Sequence, residues 1–212
     1  MRPGPVPAPR LLPSQTGEYR MKVILGSGSP RRKEILSNAG IEHEVIVSDC
    51  DEHITKTFPA EVVEELSLQK ASDVWDKACR KYVKDDLLVI GADTIVAFGD
   101  TIYGKPDDRE DAMRMLKNLS GHTHQVYTGV TVKTVTRTIT FVECTDVYVY
   151  DVTDEEIGEY VDTGEPMDKA GAYAIQGGFA RYIKGIKGDY NNVVGFPIAR
   201  TVYELKKEGI VL

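Results

Sequence analysis

The run LLVIGADTIVAF, at positions 87–98, constrains the fold more than any other segment, because it is apolar or small almost throughout. A strand that is buried on both faces has this composition, so the run predicts a central β-strand. One acid, Asp93, interrupts it, and a carboxylate there is costly unless it is paired, hydrogen-bonded or bound to a cation. Asp93 is therefore a functional candidate, and a structural aspartate that caps a loop is the alternative.

The segments on either side of this run alternate between strand and helix patterns. Two long β-rich runs late in the chain predict an antiparallel hairpin, and the spacing of Thr153 and Glu156 predicts a capped helix start. The alternation therefore predicts an α/β domain with a mixed sheet. Strands are predicted at 21–25, 44–47, 87–98, 101–103, 125–135, 138–150 and 180–186, and further helices at 30–40, 61–82, 107–119 and after Pro197.

The first twenty residues differ from the rest of the chain. They hold half of its 10 prolines and lack the apolar region of a secretory signal. Their three arginines and single acid leave an organelle-transit interpretation open, but we favour a disordered or extended segment, or a start assigned too early. The predicted organisation is therefore an extension at 1–20 and a single domain at 21–212.

Composition narrows the class of protein. A net charge of −7 argues against nonspecific binding to nucleic acid, which requires a basic face. No apolar run approaches the roughly 18 residues that span a bilayer. The 3 cysteines have no CxxC spacing, which disfavours a disulfide framework or a zinc site. We therefore expect a soluble, cytoplasmic protein that has neither nucleic acid nor membrane as a partner.

A loop of small residues, GSGSPRR at 26–32, joins the first strand to the first helix. Such residues let the backbone approach a ligand, and a helix start offers unpaired N–H groups to an anion. Arg31 and Arg32 add guanidinium groups suited to phosphate oxygens. Positive charge at this end opposes the helix dipole, and a bound anion would offset that conflict. The alternative is a basic helix start that faces solvent.

Further charged candidates are weaker on their own. The acidic loop at 49–52 could bring a second carboxylate towards a cation at Asp93, or could simply be solvated. Lys70, on the long helix, and Lys105, in a GKP turn, could counter phosphate charge or be ordinary surface lysines. Gln176 lies in a loop rich in small residues, and its amide can donate and accept together, as reading the edge of a base requires. The four histidines form no metal-ligand pairs, and we assign them no catalytic role.

In this order, the chain's motifs resemble the Maf family of nucleotide pyrophosphatases. Each motif is weak alone, but seven collinear motifs are specific, and the likeness spans nearly all of 21–212. They are GSGSPRRKEIL, LQKA, GADTIV, GKP, LSGHTHQVYTGV, GEPMDKAGAYAIQG and GDYNNVVGFP. The resemblance implies an α/β domain with a long, bent mixed β-sheet flanked by helices and two lobes around a deep cleft, similar to inosine triphosphate pyrophosphatases. It also implies hydrolysis of the α–β phosphoanhydride of nucleoside triphosphates with Mg²⁺ or Mn²⁺. Many members are dimers, which makes a homodimer the candidate assembly.

The resemblance also implies roles for individual residues. Asp93 matches the proposed general base, and Glu52 matches an acid that joins Asp93 in holding the metal. Arg32, Lys70 and Lys105 match residues that act on the phosphates.

Base choice is implied by a second group of residues. Arg31, Thr94 and Gln176 resemble the branch that prefers dTTP and UTP, and Ser27 and Ser29 complete the expected substrate-binding set. The chain departs from the family pattern at Ala174, where glycine is common, and at Asn191–Asn192. The alternatives are a non-catalytic nucleotide-binding regulator of cell division, a 7-methyl-GTP pyrophosphatase, and a phosphatase that removes the terminal phosphate.

Overall fold

The structure is a computed structural model, and it describes residues 12–13 and 19–212 of the chain. Most of the segment that we predict to be an N-terminal extension lies outside the described residues. Within it, two short strands, β1 (Leu12–Pro13) and β2 (Tyr19–Arg20), pair in antiparallel fashion. No helix in the described part of the chain is long and apolar enough to cross a membrane.

A mixed sheet of seven strands forms the centre of the described domain, with helices packed around it. The strands are β3 (Lys22–Leu25), β4 (His43–Val45), β5 (Leu87–Phe98), β6 (Thr101–Tyr103), β7 (Thr123–Lys133), β8 (Thr138–Val149) and β9 (Ile183–Lys187). The α-helices are α1 (Pro30–Asn38), α2 (Pro59–Ala78), α3 (Arg109–Leu119), α4 (Asp154–Asp162), α5 (Tyr190–Val194) and α6 (Ile198–Lys207).

The strand order is β4-β3-β5-β7-β8-β9, and β6 pairs with β5 beside β3. β3 is parallel to β4 and β5, whereas the other pairings are antiparallel. The predicted mixed α/β sheet is confirmed, and so is the capping box at Thr153 and Glu156.

Element ends differ from the prediction in a few places. Helix α2 begins at Pro59, two residues earlier than predicted, because proline is well suited to the first helical position. The last strand begins at Ile183, since residues Gly178–Tyr182 form a 3₁₀ turn. Helix α5 falls in a segment for which the sequence predicts no helix.

The middle of β5 has one edge without a strand partner among the described residues. β3 pairs with β5 as far as Ile90, and β6 pairs with it from Val96 onward. β7 covers the opposite edge without a break, from Val89 to Ala97. The last residues of both β3 and β6 lie at this gap, and the chain turns away from the sheet after each of them. Ligands of α/β sheets bind in crevices of this kind.

The two larger hydrophobic cores lie towards opposite ends of the long strands. One core joins α3 and α4 to the sheet through buried residues that include Leu116 and Tyr160. The other joins α1 and α6 to the sheet through Leu36 and Leu205. β5 and β7 contribute residues to both cores. This arrangement matches the predicted fold with two lobes and a cleft, and it places the gap in β5 between the lobes.

Helix α2 crosses the sheet at two glycines, Gly91 on β5 and Gly129 on β7. A Cβ atom at Gly91 would lie 2.5 Å from the backbone nitrogen of Ala71, and one at Gly129 would lie 2.1 Å from the carbonyl oxygen of Val63. The hydroxyls of Ser67 and Thr131, 2.9 Å apart, join the helix to β7. These close approaches fix the position of α2 and therefore the position of Lys70.

Candidate active site

A cavity of about 920 Å³ lies beside the gap in β5. Ligand pockets in proteins span roughly 300–1,000 Å³, so it is large enough for a nucleotide. Its walls come from both lobes and include every site residue predicted from the sequence. These are Ser27, Ser29, Arg31, Arg32, Glu52, Lys70, Asp93, Thr94, Lys105 and Gln176.

Asp93 and Lys70 form an ion pair on the α2 side of the cavity. The Lys70 ammonium lies 2.5 Å from Asp93 Oδ1 and 3.0 Å from Glu52 Oε1, so it joins the two carboxylates. The side chains of Asp93 and Lys70 are only 13% and 17% exposed, whereas that of Glu52 is 47% exposed. The carboxylate in the central strand is thus paired, as its burial requires. The three side chains form a charged cluster at one wall of the cavity.

Arg32 lies against the open edge of β5 and is largely committed to protein acceptors. Its Nε donates to the carbonyl of Gly195 at 2.8 Å, and its Nη1 donates to the carbonyl of Ala92 at 2.9 Å and to Ser27 Oγ at 3.1 Å. Its Nη2 donates to Thr94 Oγ1 at 2.9 Å. Four of the five guanidinium N–H groups are therefore used, which leaves one on Nη2 for a ligand.

Three effects, not all of the same sign, act on the pKa of Arg32. Burial lowers the pKa of Arg32, Asp93 raises it, and the neighbouring Arg31 lowers it. Arginine has so high an intrinsic pKa that the side chain stays charged. Arg32 thus keeps positive charge beside Asp93 while it holds the loop after β3 against β5.

A chain of hydrogen bonds runs from Arg32 into the core. Thr94 Oγ1 accepts from Arg32 and lies 2.9 Å from Thr128 Oγ1, which donates to the carbonyl of Asn192 at 3.1 Å. Thr94 donates to Thr128 in the arrangement with the shorter hydrogen bonds, because Thr128 then donates to Asn192 at 3.1 Å. In the reverse arrangement Thr94 would donate to the carbonyl of Gly195 at 3.4 Å. The amide of Asn192 is fully buried and donates to the carbonyl of Val126 and to Thr145 Oγ1. Asn192, whose effect the sequence does not reveal, therefore anchors α5 against β7 and β8.

The small residues at the start of α1 differ in accessibility. Ser27 is buried, and its hydroxyl accepts from Arg32 and from the backbone N–H of Ser29. The side chain of Ser29 makes no capping hydrogen bond although it precedes the helix. Ser27 therefore orders the loop, while Ser29 remains available to a ligand.

Charged side chains at the rim of the cavity extend the set identified from the sequence. Arg31 Nη1 lies 3.9 Å from Asp168 Oδ2 across the cleft. Lys169 pairs with the same aspartate and donates to the carbonyl of Glu165 at 3.0 Å. Lys105 is exposed and makes no ion pair within the described residues. Asp168 and Lys169 were not predicted from the sequence, although both lie inside the motif GEPMDKAGAYAIQG.

Hydrogen bonds to Tyr160 and Glu165 order the loop that carries Gln176. Glu165 accepts from the Tyr160 hydroxyl at 2.8 Å and from the backbone N–H of Gly178 at 3.1 Å. The backbone N–H of Ala174 donates to the same tyrosine hydroxyl. Gln176 itself is exposed at the cavity, and its amide has no hydrogen-bond partner in the described part of the chain. The loop is therefore ordered while its polar tip is free to meet a ligand.

Tyr173, which lines the cavity, rests on a buried histidine. His124 Nε2 lies 2.8 Å from the Tyr173 hydroxyl, and both side chains lie in the core. Burial lowers the pKa of His124 to about 4 and raises the pKa of Tyr173 above its ordinary value. His124 is therefore neutral at physiological pH and supports the loop without donating charge to the cavity.

The carboxylates at the cavity fit a cation that is bound together with substrate. The described residues contain no group of three or more His, Cys, Asp or Glu side chains that could hold a metal by themselves. Mg²⁺ sites, however, use one or two carboxylates together with substrate phosphates and water. Glu52 and Asp93, both within reach of one ammonium group, supply such a pair of oxygen ligands.

Comparison with known proteins extends over nearly the whole described domain. Residues 22–208 match the family described as "Maf: Maf-like protein". A protein of Agathobacter rectalis named dTTP/UTP pyrophosphatase is 51% identical over 201 residues, which cover 89% of this chain and 98% of that one. Proteins with the same name from Lachnoclostridium phytofermentans and Bacillus cereus are 49% and 47% identical, with 90% and 92% of this chain and 97% and 93% of theirs covered.

One solved structure is a more distant neighbour. The Staphylococcus aureus Ham1 protein superposes with a TM-score of 0.42 at 16% identity, over 61% of this chain and 72% of that one. This superposition covers too little of the two chains to assign a family. The assignment follows instead from the match along residues 22–208 and from relatives that are about half identical over almost their full lengths. The chain belongs to the Maf family.

Proposed function

We propose that this chain hydrolyses nucleoside triphosphates, dTTP and UTP foremost, to the monophosphate and pyrophosphate. One observation carries the proposal: a carboxylate in the central strand, Asp93, shares a cavity of nucleotide size with cationic groups from distant parts of the chain. Relatives near 50% identity are named dTTP/UTP pyrophosphatase, which supports the same substrates here. Such an enzyme would remove unwanted nucleotides from the cellular pool.

Five charged residues of the cavity have roles in the proposed reaction: Arg32, Glu52, Lys70, Asp93 and Lys105. Asp93 orients a water molecule and accepts its proton as the oxygen attacks the α-phosphorus. The bond from that phosphorus to the bridging oxygen breaks, and pyrophosphate leaves with the electron pair. Lys70 and Lys105, with the remaining N–H of Arg32, stabilise the charge that grows on the leaving group. Glu52 and Asp93 would hold a divalent cation such as Mg²⁺ or Mn²⁺, which would supply neutralisation of phosphate charge and would make the attacking water more acidic.

Base choice is proposed to depend on the opposite wall. The free amide of Gln176 can match the alternating acceptors and donor of a uracil or thymine edge. Thr94 acts indirectly, because its hydroxyl already accepts from Arg32 and is hydrogen-bonded to Thr128. Arg31 reaches across the cleft towards Asp168, so a ligand in the cavity would lie beside it.

The proposed setting is the cytoplasm, where nucleotide pools are found, and the proposed assembly is a homodimer. The net charge of −7 supports the proposal that the chain does not bind nucleic acid, and we propose no membrane partner. Light scattering coupled to gel filtration would measure the assembly directly.

The test is a panel of nucleotides assayed with and without Mg²⁺, with products separated by chromatography. The proposal predicts TMP or UMP and pyrophosphate, in a metal-dependent reaction that prefers dTTP and UTP. Release of orthophosphate with a diphosphate would identify a terminal phosphatase instead. Binding without turnover would favour a regulator, and preference for 7-methyl-GTP would assign the chain to the other branch.

A further inference from the structure

Two side chains of α2 hold a segment that forms one wall of the cavity. This segment, residues 51–58, precedes α2, and we term it the strap. The Gln69 amide donates to the carbonyl of His53 at 2.7 Å and accepts from its backbone N–H at 3.0 Å. One turn earlier, Glu65 accepts from the backbone N–H of Thr55 at 2.8 Å and from its hydroxyl at 2.6 Å. Both partners on the helix thus bind alternate residues of the strap.

The residues between these attachment points face the other way. Glu52, Ile54 and Lys56 line the cavity, whereas His53 and Thr55 are bound to the helix. Three of these four hydrogen bonds are made by the strap backbone, so they fix the path of the chain on either side of Ile54 while Glu52, Ile54 and Lys56 line the cavity. Gln69 and Glu65, four residues apart on one helical face, therefore determine which strap residues meet a ligand.

Among the described residues the ammonium group of Lys56 forms no ion pair, and Glu65 is the one carboxylate whose pKa the positive charge of Lys56 helps to lower. Several other cations at the cavity are paired: Lys70 with Asp93 and Glu52, and Arg31 and Lys169 with Asp168. Lys56 makes no ion pair within 4 Å in the described part of the chain, and both oxygens of nearby Glu65 are bound to Thr55. An ammonium group offers only donors, so the ligand group that it suits best is an anion.

We propose that Lys56 is a further substrate-binding residue, that it contacts the phosphate chain of the nucleotide, and that Glu65 is the positioning residue that holds it there. This inference rests on the proposed function only for the identity of the nucleotide. Its test can therefore use binding as well as turnover.

The first experiment compares Lys56→Met with a matched control, Lys206→Met, an exposed lysine on α6 that does not line the cavity. A lost hydrogen bond to a charged group costs affinity of roughly tenfold. We expect Lys56→Met to raise the KM for dTTP and the Kd for inorganic pyrophosphate, measured by calorimetry, about that much, with kcat unchanged. Binding of thymidine and both constants of Lys206→Met should not change.

Two results would overturn the contact with phosphate. One is an unchanged Kd for pyrophosphate in Lys56→Met. The other is weaker binding of thymidine, which carries no phosphate, by the same variant. If the wild-type chain released no TMP from dTTP, the proposed function would fail, but the comparison of pyrophosphate binding would still decide the role of Lys56.

The positioning role is tested by a double-mutant cycle between Glu65 and Lys56. We expect Glu65→Ala to raise the KM for dTTP in the wild-type background but to have no further effect in Lys56→Met. Glu65→Gln keeps an acceptor for the backbone of Thr55 and should restore part of the loss. Equal effects of Glu65→Ala in both backgrounds, together with a lower Tm, would indicate a structural role only and would refute the positioning claim.

Discussion

Asp93 lies directly opposite Gly129 in the antiparallel ladder between β5 and β7, and the absent side chain at 129 lets α2 rest on the sheet. Gly91, two residues before Asp93, provides the second close approach. Lys70 reaches Asp93 because the helix that carries it lies this near. The ion pair at the cavity therefore depends on two glycines as much as on the charged residues themselves.

Gly129→Ala tests this dependence. The new methyl would lie 2.1 Å from the carbonyl oxygen of Val63, so α2 must shift. We expect the free energy of unfolding to fall by about 1–3 kcal/mol, as in other overpacked sites, and turnover of dTTP to fall with it. The matched control is Gly185→Ala on β9, whose methyl would meet no atom within 4 Å. Equal Tm values for the two variants would contradict the argument.

Asp93→Asn tests the proposed base. The amide cannot accept the proton of water, and general-base catalysis contributes roughly 10²–10⁴-fold. We expect kcat to fall by about that factor and the Tm to change little, since Lys70 keeps Glu52 as a partner. Asp76→Asn, at an exposed position of α2, serves as the control. Wild-type rates of pyrophosphate release in Asp93→Asn would refute the assignment.

Gln176→Ala tests the wall that faces the base. A site that hydrogen-bonds a polar edge rejects ligands that leave its groups unpaired, so loss of the amide should reduce discrimination. We expect kcat/KM for dTTP and UTP to approach the values for CTP and GTP. Competition assays with the four nucleotides measure this directly. An equal fall for all four would show that Gln176 does not read the base.

The acid sensitivity of folding provides a further test, centred on His124. Its ordinary pKa of 6.5 is lowered to about 4 in the folded chain. Between these two values the unfolded state binds the extra proton, so the contribution of His124 to stability is present above pH 6.5 and is lost as the pH falls towards 4. From pH 7.5 to pH 5 the loss amounts to about 2 kcal/mol.

Urea denaturation at both pH values would measure it. We expect His124→Gln to lose less stability than the wild type over this interval, because the amide does not titrate. The exposed His122 provides the control, since His122→Gln should follow the wild type. If His124→Gln and the wild type lost equal stability, the buried imidazole would not be the cause.

The sequence predicts most of the elements, and each residue that it nominates for the site lines the cavity, because periodicity and motif order carry that information. Helix α5 and the 3₁₀ turn at Gly178–Tyr182 were missed, since both are short and depend on tertiary contacts such as the buried Asn192. The way in which Arg32 is used was also beyond the sequence. Its place at the start of α1 favoured a guanidinium group that binds phosphate, whereas four of its five N–H groups bind protein acceptors at Ser27, Ala92, Thr94 and Gly195.

The strap illustrates why such features escape a reading of the sequence alone. Nothing in DEHITKTF shows that alternate residues face a cavity, because the pattern is not one of alternating polarity. The direction of Lys56 is set by two residues of a different element, Glu65 and Gln69. Long-range side-chain contacts of this kind leave no local signal.

The unbroken course of β5 through both cores has a mechanical consequence. Enzymes that close by hinge motion bend at short loops between their halves, but here a strand paired with β7 along nearly its whole length links the halves. Rotation of one half against the other would have to break that pairing, so the floor of the cavity is rigid. Entry of substrate and exit of product then depend on movement of the peripheral segments. Substitutions in those segments can change selectivity without moving β5 or Asp93.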